Sequence, residues 1–314
     1  MHRLRMLALA LGVLALVTVI VTSTTHPAFA VGSQIRTFVA STGSDANPCT
    51  RTAPCRTFGA ALAQTASGGE IVALDSGGYG AVTITQSVTI VAAPGVQASI
   101  SPSSGNAITV NAGSGDTIVL RNLNLNGLGA THGVHYQAAG SLHIVDLTIN
   151  GFTTHGIFVD VSSLAKLHVA NTVLRANGGA GIALTSTLSG TAHATIERVR
   201  AEKNHDGISV GGYASANVKD SVASGNVIGF VAYASAGGTA EINLESCTAT
   251  GNSDVGIFAG ADVGIGIARA SNCMVIGNNK GVFASANGTT YSRGNNTVEG
   301  NSIDGSFSSY YAAK

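Results

Sequence analysis

Apolar and polar residues alternate along this chain in short runs, and the runs return with a period of 22 to 27 residues. After each of seven glycines, Gly133, Gly156, Gly181, Gly207, Gly229, Gly256 and Gly281, the first and third positions are apolar: Val134/Tyr136, Ile157/Val159, Ile182/Leu184, Ile208/Val210, Phe230/Ala232, Ile257/Ala259 and Val282/Ala284. The positions between and beyond them include His135, Asp160, Thr185 and Ser209, so one face points inward and one outward, as in a half-buried strand. A second marker, Asn177, Asn204, Asn226, Asn252 and Asn278, precedes the glycine by three or four residues. Counting back from these asparagines by eight and ten gives a second inward pair in each copy, and counting back by three gives a third inward stripe. Three short strands per repeat, with no helical stretch between them, predict an all-β solenoid of triangular section.

Weaker copies begin at Gly80 and Asn106, so about nine coils are expected over residues 80–305, a rod roughly 40 Å long at about 4.8 Å per coil. Asparagine and glycine both tolerate the left-handed backbone, and they are expected to turn the corners, with the asparagine side chains stacked into a ladder. The solenoid must be closed at its ends. Residues 57–66 carry Phe58, Ala61, Leu62 and Thr65 at helical spacing before Gly68-Gly69, which predicts a short capping helix in a lead-in segment over residues 31–79. Phe307, Tyr310 and Tyr311 give residues 306–314 the bulk of a C-terminal lid.

Composition narrows the setting. Glycine is abundant, at 41 residues, and tryptophan is missing, which suits tight corners and stacked small side chains. Arg3 and Arg5 stand before an apolar run over residues 6–21, and Ala28-Phe29-Ala30 has the form of a cleavage site. Residues 1–30 therefore read as an export signal, with an uncleaved membrane anchor as the alternative. The expected destination is extracellular, periplasmic or the cell surface, with no stable membrane insertion after cleavage. The remaining chain holds 14 basic and 16 acidic residues, a balance that gives no electrostatic case for nucleic acid. Cys49 and Cys55 lie in a Pro-bounded loop without the further ligands of a zinc site, and a disulfide is expected between them. Cys247 and Cys273 each stand five residues before a repeat asparagine, on adjacent coils. Two buried thiols are the preferred reading of that pair, and a strained disulfide the other.

The lead-in segment Thr37-Phe38-Val39-Ala40-Ser41-Thr42-Gly43-Ser44-Asp45, then Pro48-Cys49, Pro54-Cys55-Arg56-Thr57-Phe58, Gly68-Gly69-Glu70-Ile71-Val72 and Gly77-Gly78-Tyr79, resembles the opening of secreted right-handed parallel β-helix proteins of the pectin-lyase-like superfamily. The Asn/Gly coils that follow resemble its repeats. The resemblance implies a right-handed parallel β-helix over essentially all of the chain beyond residue 30. It leaves function open, since that fold carries lyases, hydrolases, epimerases, esterases and non-catalytic adhesins. The clustered calcium ligands of pectate lyases have no counterpart in the motifs here, so calcium is a possible cofactor without a supporting motif, and no metal-ligand set is identified. Asn204-His205-Asp206-Gly207 faintly resembles one element of the polygalacturonases, whose Asp-Asp pair is missing.

The repeat register lines up His132, His155, Ala180 and Asp206 immediately before successive glycines. His132, His155 and Asp206 are the candidate catalytic residues, flanked by His135, Asp160, Glu202 and His205 as candidate binding residues. General acid–base chemistry could arise there, and a solvated polar ridge is the plain alternative. Outward Phe158, Tyr233, Phe258 and Phe283 could form an apolar strip, while His143 and His168 share another outward column with no evident partner. The expected function is non-catalytic binding of polysaccharide, cell-surface glycan or another surface. A polysaccharide lyase or glycoside hydrolase is the alternative, and a self-associating structural protein a third reading, the oligomeric state being open.

Overall fold

The computed structural model describes residues 32–138, 140–187 and 191–312. Residues 1–30, and with them the expected export signal, lie outside the described residues. Strands of successive coils pair in parallel into three sheets, one of twelve strands (sheet A) and two of ten (sheets B and C). One coil illustrates all the others: Ala165–Ala170 runs in sheet A, Val173–Arg175 in sheet B and Ile182–Ser186 in sheet C. Each strand pairs with its equivalents in the coils before and after, as Ile157, Ile182 and Ile208 do in sheet C. This is a parallel β-helix, and its core is one column of Val, Ile, Leu and Ala along the axis.

The inward stripes fall where the alternation placed them. All the residue pairs after the repeat glycines are buried except Ala284. That residue is half open because the strand beyond it, Ile303–Gly305, is short and pairs only as far as Val282 with Gly305.

The corners are built differently from the expectation. Neither the repeat glycines nor the ladder asparagines have positive φ. Between sheets B and C the left-handed residue is the one before the asparagine, Ala176, Lys203, Gly225, Gly251, Gly277 and Gly300, with φ from 52° to 69°. Between sheets A and B it is Asn122, Asp146, Asn171, Arg198, Asp220, Ser246 and Asn272, with φ from 49° to 59°. The repeat glycine instead answers to crowding: a Cβ on Gly207 would stand 2.4 Å from the carbonyl oxygen of Gly229, and one on Gly229 would stand 2.5 Å from that of Gly256.

The asparagine ladder is present. Asn177, Asn204, Asn226, Asn252 and Asn278 are buried, and each amide side chain bonds the next, at 2.8 to 3.3 Å. Each Oδ1 also accepts the backbone amide of the asparagine one coil earlier, as Asn252 does from Asn226 at 3.0 Å. Phe152 occupies the position at the N-terminal end, and its amide donates to Asn177. At the other end Asn301 donates its backbone amide and side chain to Asp304 Oδ1, at 3.0 and 2.9 Å, so an aspartate ends the ladder.

The A–B corner repeats this logic with other residues. The amide of Val199 donates to Ser221 Oγ at 3.1 Å and that of Cys273 to Asn296 Oδ1 at 2.8 Å. Between them, the amides of Ser221 and Cys247 bond the sulfurs of Cys247 and Cys273. Both cysteines are buried free thiols in register on adjacent coils, where they act as ladder acceptors. Cys49 and Cys55 are joined by a disulfide, with Cα atoms 4.6 Å apart.

A helix over Phe58–Gln64 covers the N-terminal coils with Phe58, Ala61 and Leu62. The Thr57 hydroxyl accepts from Ala60 N, a standard N-cap. The helix stops before the expected Gly-Gly, because Thr65 Oγ1 donates to Ala61 O and meets Thr37 Oγ1 at 2.8 Å. Those bonds start the strand Thr65–Ala73, which carries Gly68-Gly69 within it. The C-terminal lid is thinner than expected. Phe307 packs on the core, but Tyr310 is 71% exposed and Tyr311 lies edge-on to Tyr291 on the outside. No helix among the described residues is long and apolar enough to cross a membrane.

Candidate functional site

Outward positions of sheet C recur two and four residues after each repeat glycine, because alternate residues of a strand face the same way, and one residue before it, where the buried glycine and its buried successor interrupt the alternation. Coil by coil the middle column reads His135, Phe158, Ala183, Ser209, Val231, Phe258 and Phe283. Large rings stand at both ends of this column and small side chains in the centre. The outermost column adds Asp160 and Thr185, then Gly211, Tyr233 and Gly260. The result is a groove of about 710 Å³. Thr185, Ser209, Gly211 and Gly212 line its centre, Ile228, Val231, Tyr233 and Phe258 line it from the two following coils, and Asp160, His205 and Asp206 add polar groups. Tyr233, Phe258 and Phe283 continue from it as a row of stacked rings with centroids 6.0 Å apart.

His132, His135 and His155 come together, but beside the groove. His132 stacks on His155 at 5.4 Å with planes 2° apart, and meets His135 at 5.1 Å with planes tilted by 54°. Phe158 lies within about 5 Å of all three rings and so belongs to this cluster rather than to the strip of Tyr233 and Phe258. Thr154 Oγ1 donates to the Thr131 carbonyl at 2.6 Å, which leaves it to accept from His132 Nδ1 at 2.8 Å. The amide of His155 also points at that nitrogen, at 3.4 Å; Nδ1 cannot both donate and accept, and the shorter contact assigns it the proton. His155 Nδ1 accepts from Ala180 N at 2.9 Å, which assigns its proton to Nε2. His135 Nε2 is buried without a hydrogen-bond partner. Burial, reinforced by the neighbouring His135 and His155, pushes His132 down to about 4. His135 and His155 are lowered by burial too, against the pull of Asp160 and Asp206 respectively.

Asp206 lines the groove, with its Oδ1 3.0 Å from His205 Nδ1. Burial raises its carboxyl above the usual range, opposed by His205 and His155. His155 and Asp206 flank Ala180 two coils apart. Asp160 is exposed and lies two coils and about five residues along the strand from Asp206, roughly 16 Å in that direction alone. Such a spacing is wider than the roughly 5 to 9.5 Å that glycosidase carboxylate pairs use. Glu202 is set apart: it lies on the sheet B strand Arg200–Glu202 and accepts from Arg200 Nε at 2.9 Å. No three His, Cys, Asp or Glu side chains among the described residues are gathered to hold a metal ion.

Small residues were the part of the groove that sequence reasoning passed over. Thr185, Ser209, Gly211 and Gly212 carry no chemical signature, and their role shows only when the large neighbours above and below are in register. Sheet A presents a different surface, where His143 and His168 do have a partner, each other, at 5.7 Å. Further along the same sheet Asn243 bonds Asn217 and Arg269 bonds Asn243 and Glu241, with the Arg269 guanidinium over Tyr291.

No protein-family model matches the chain, and no curated protein matches it. Two solved structures match along most of their length. The pectate lyase Pel9A superposes with a TM-score of 0.53 at 16% identity, over 87% of this chain and 81% of its own. A rhamnogalacturonan lyase does so with a TM-score of 0.51 at 14% identity, over 86% of this chain and 88% of its own. At these identities the likeness is one of fold, and the chain has the parallel β-helix of the pectin-lyase-like proteins.

Proposed function

We propose that this protein is an exported glycan-binding β-helix whose site is the groove on sheet C. One observation carries the reading: a groove with small residues at its centre whose lining combines apolar and aromatic side chains with hydrogen-bonding groups. That is the pairing a sugar ring uses, with its apolar face on a ring or aliphatic wall and its hydroxyls on carboxylate, imidazole and hydroxyl groups. The parallel β-helix neighbours are lyases of pectate and rhamnogalacturonan by name, which makes polysaccharide the natural ligand class. The separation of Asp160 from Asp206 favours binding over hydrolysis by a carboxylate pair.

The test is titration of the purified protein with a panel of polysaccharides and oligosaccharides, with unsaturated products and new reducing ends read in parallel. Saturable binding without product is expected, and Ser209→Trp, which fills the groove from its outward face, should abolish it while leaving the unfolding free energy within about 0.5 kcal/mol of the parent. Product release that Ser209→Trp stops would make the same groove a catalytic one. Binding untouched by Ser209→Trp would move the site elsewhere.

A further inference from the structure

We infer that the groove selects uncharged glycan chains and rejects polyuronates. This rests on the glycan-binding reading and adds the ligand's charge to it. Among the described residues, the lining contains the carboxylates Asp160 and Asp206 and no lysine or arginine. A third carboxylate, Asp262, bonds the Tyr233 hydroxyl of the groove lining. His205 is the one lining group able to become a cation, and its Nδ1 is already engaged by Asp206 at 3.0 Å. Lys280, on the same face, is held by Asp254 at 3.1 Å and lies over the Phe283 ring.

A uronate carboxylate entering this groove would meet like charge with no cation to pair with. A neutral sugar presents hydroxyl donors, which ionised carboxylates accept strongly. The contrast with sheet A sharpens the point, since Arg269 and Arg293 line a groove there, of about 420 Å³. Guanidinium groups that could pair with a uronate are on a different face from the sheet C groove.

The experiment compares glycans that share a backbone and differ in charge: polygalacturonate against its fully methyl-esterified form, and unsubstituted xylan against glucuronoxylan, by calorimetric or electrophoretic affinity at low and high salt. The uncharged member of a pair should bind at least about tenfold more tightly, well within the more than hundredfold that two like charges at about 5 Å give near a protein surface before salt screening. The gap should shrink as salt rises. Asp160→Asn, a change at an exposed side chain that threatens no core contact, should narrow it by raising affinity for the charged member while the uncharged member, which loses a carboxylate acceptor, binds no more tightly than before, and Asp206→Asn should narrow it further. Equal or tighter binding of the charged members, still abolished by Ser209→Trp, would overturn the charge selection and leave the groove as the site. Binding of neither member of any pair would remove the glycan reading and this inference with it.

Discussion

A single asparagine shows how each coil is fastened. Asn252 accepts the Asn226 amide and side chain at 3.0 and 3.1 Å and donates to Ala223 O and Asn278 Oδ1 at 3.2 and 2.8 Å, all out of water. Asn252→Ala leaves the Asn226 amide buried and unpaired and should cost about 2–3 kcal/mol in urea unfolding. At the A–B corner the same task is done by Ser221, Cys247 and Cys273, so Cys247→Ser should cost less than Cys247→Val, although valine resembles the thiol more closely in polarity. His132 adds a pH dependence. Below its ordinary value of 6.5 the unfolded chain takes up a proton that the folded ring refuses until about 4. Stability is therefore complete above about pH 6.5 and falls as pH drops through that window. The loss should be about 1–2 kcal/mol, allowing for a ring partly open to solvent. Urea midpoints at pH 7 and pH 4.5 should differ less in His132→Gln than in the parent.

At the scale of the element, the three sheets have separate tasks although one alternation generates them all. Sheet B is narrow, with three-residue strands such as Val173–Arg175, and its outer face is occupied locally, as by the Arg200 and Glu202 pair. Sheet A carries the interlocked amides and guanidinium of Asn217, Asn243 and Arg269. Sheet C alternates large and small residues along the axis and so has the groove over Ser209 and Gly211. Tyr233→Ala should weaken glycan binding about tenfold or more by removing part of that groove's lining, with little change in stability because the ring is on the outer face. Phe283→Ala, further along the row and outside the groove lining, should have a smaller effect on the same titration.

For the whole molecule, each coil touches only the next, so stability is close to a sum over coils and their interfaces. The two ends differ. The N-terminal coils lie under the helix over Phe58–Gln64, whereas residues 299–306 at the other end are largely exposed and Phe307 is their main cover. Hydrogen exchange should therefore grade along the axis, fastest in the strands Thr297–Glu299 and Ile303–Gly305 and slowest in the central coils. Val210→Asp, in the middle of the column, should cost several kcal/mol by burying an unpaired charge. Uniform exchange from end to end, or a mild Val210→Asp, would contradict this linear picture.

What the amino-acid order determined by itself is the coil. Period-2 alternation sets which side chain turns inward, and the repeat sets which coil each one meets, so the core stripes, the asparagine ladder and the shared column of Cys247 and Cys273 could be read without coordinates. The left-handed residues could not. Asn171, Arg198, Asp220 and Ser246 share a backbone conformation but no side-chain chemistry, and the glycine that looked like the turn residue is required by a carbonyl oxygen on the next coil. The site divides in the same way. His132, His135 and His155 were visible as a column, because register alone brings them together. The wide separation of Asp160 from Asp206, the placement of Glu202 on another sheet, and the groove over Ser209 and Gly211 were decided by tertiary structure. A cavity is made by what its neighbours leave empty, and three consecutive coils have to be stacked before that space exists.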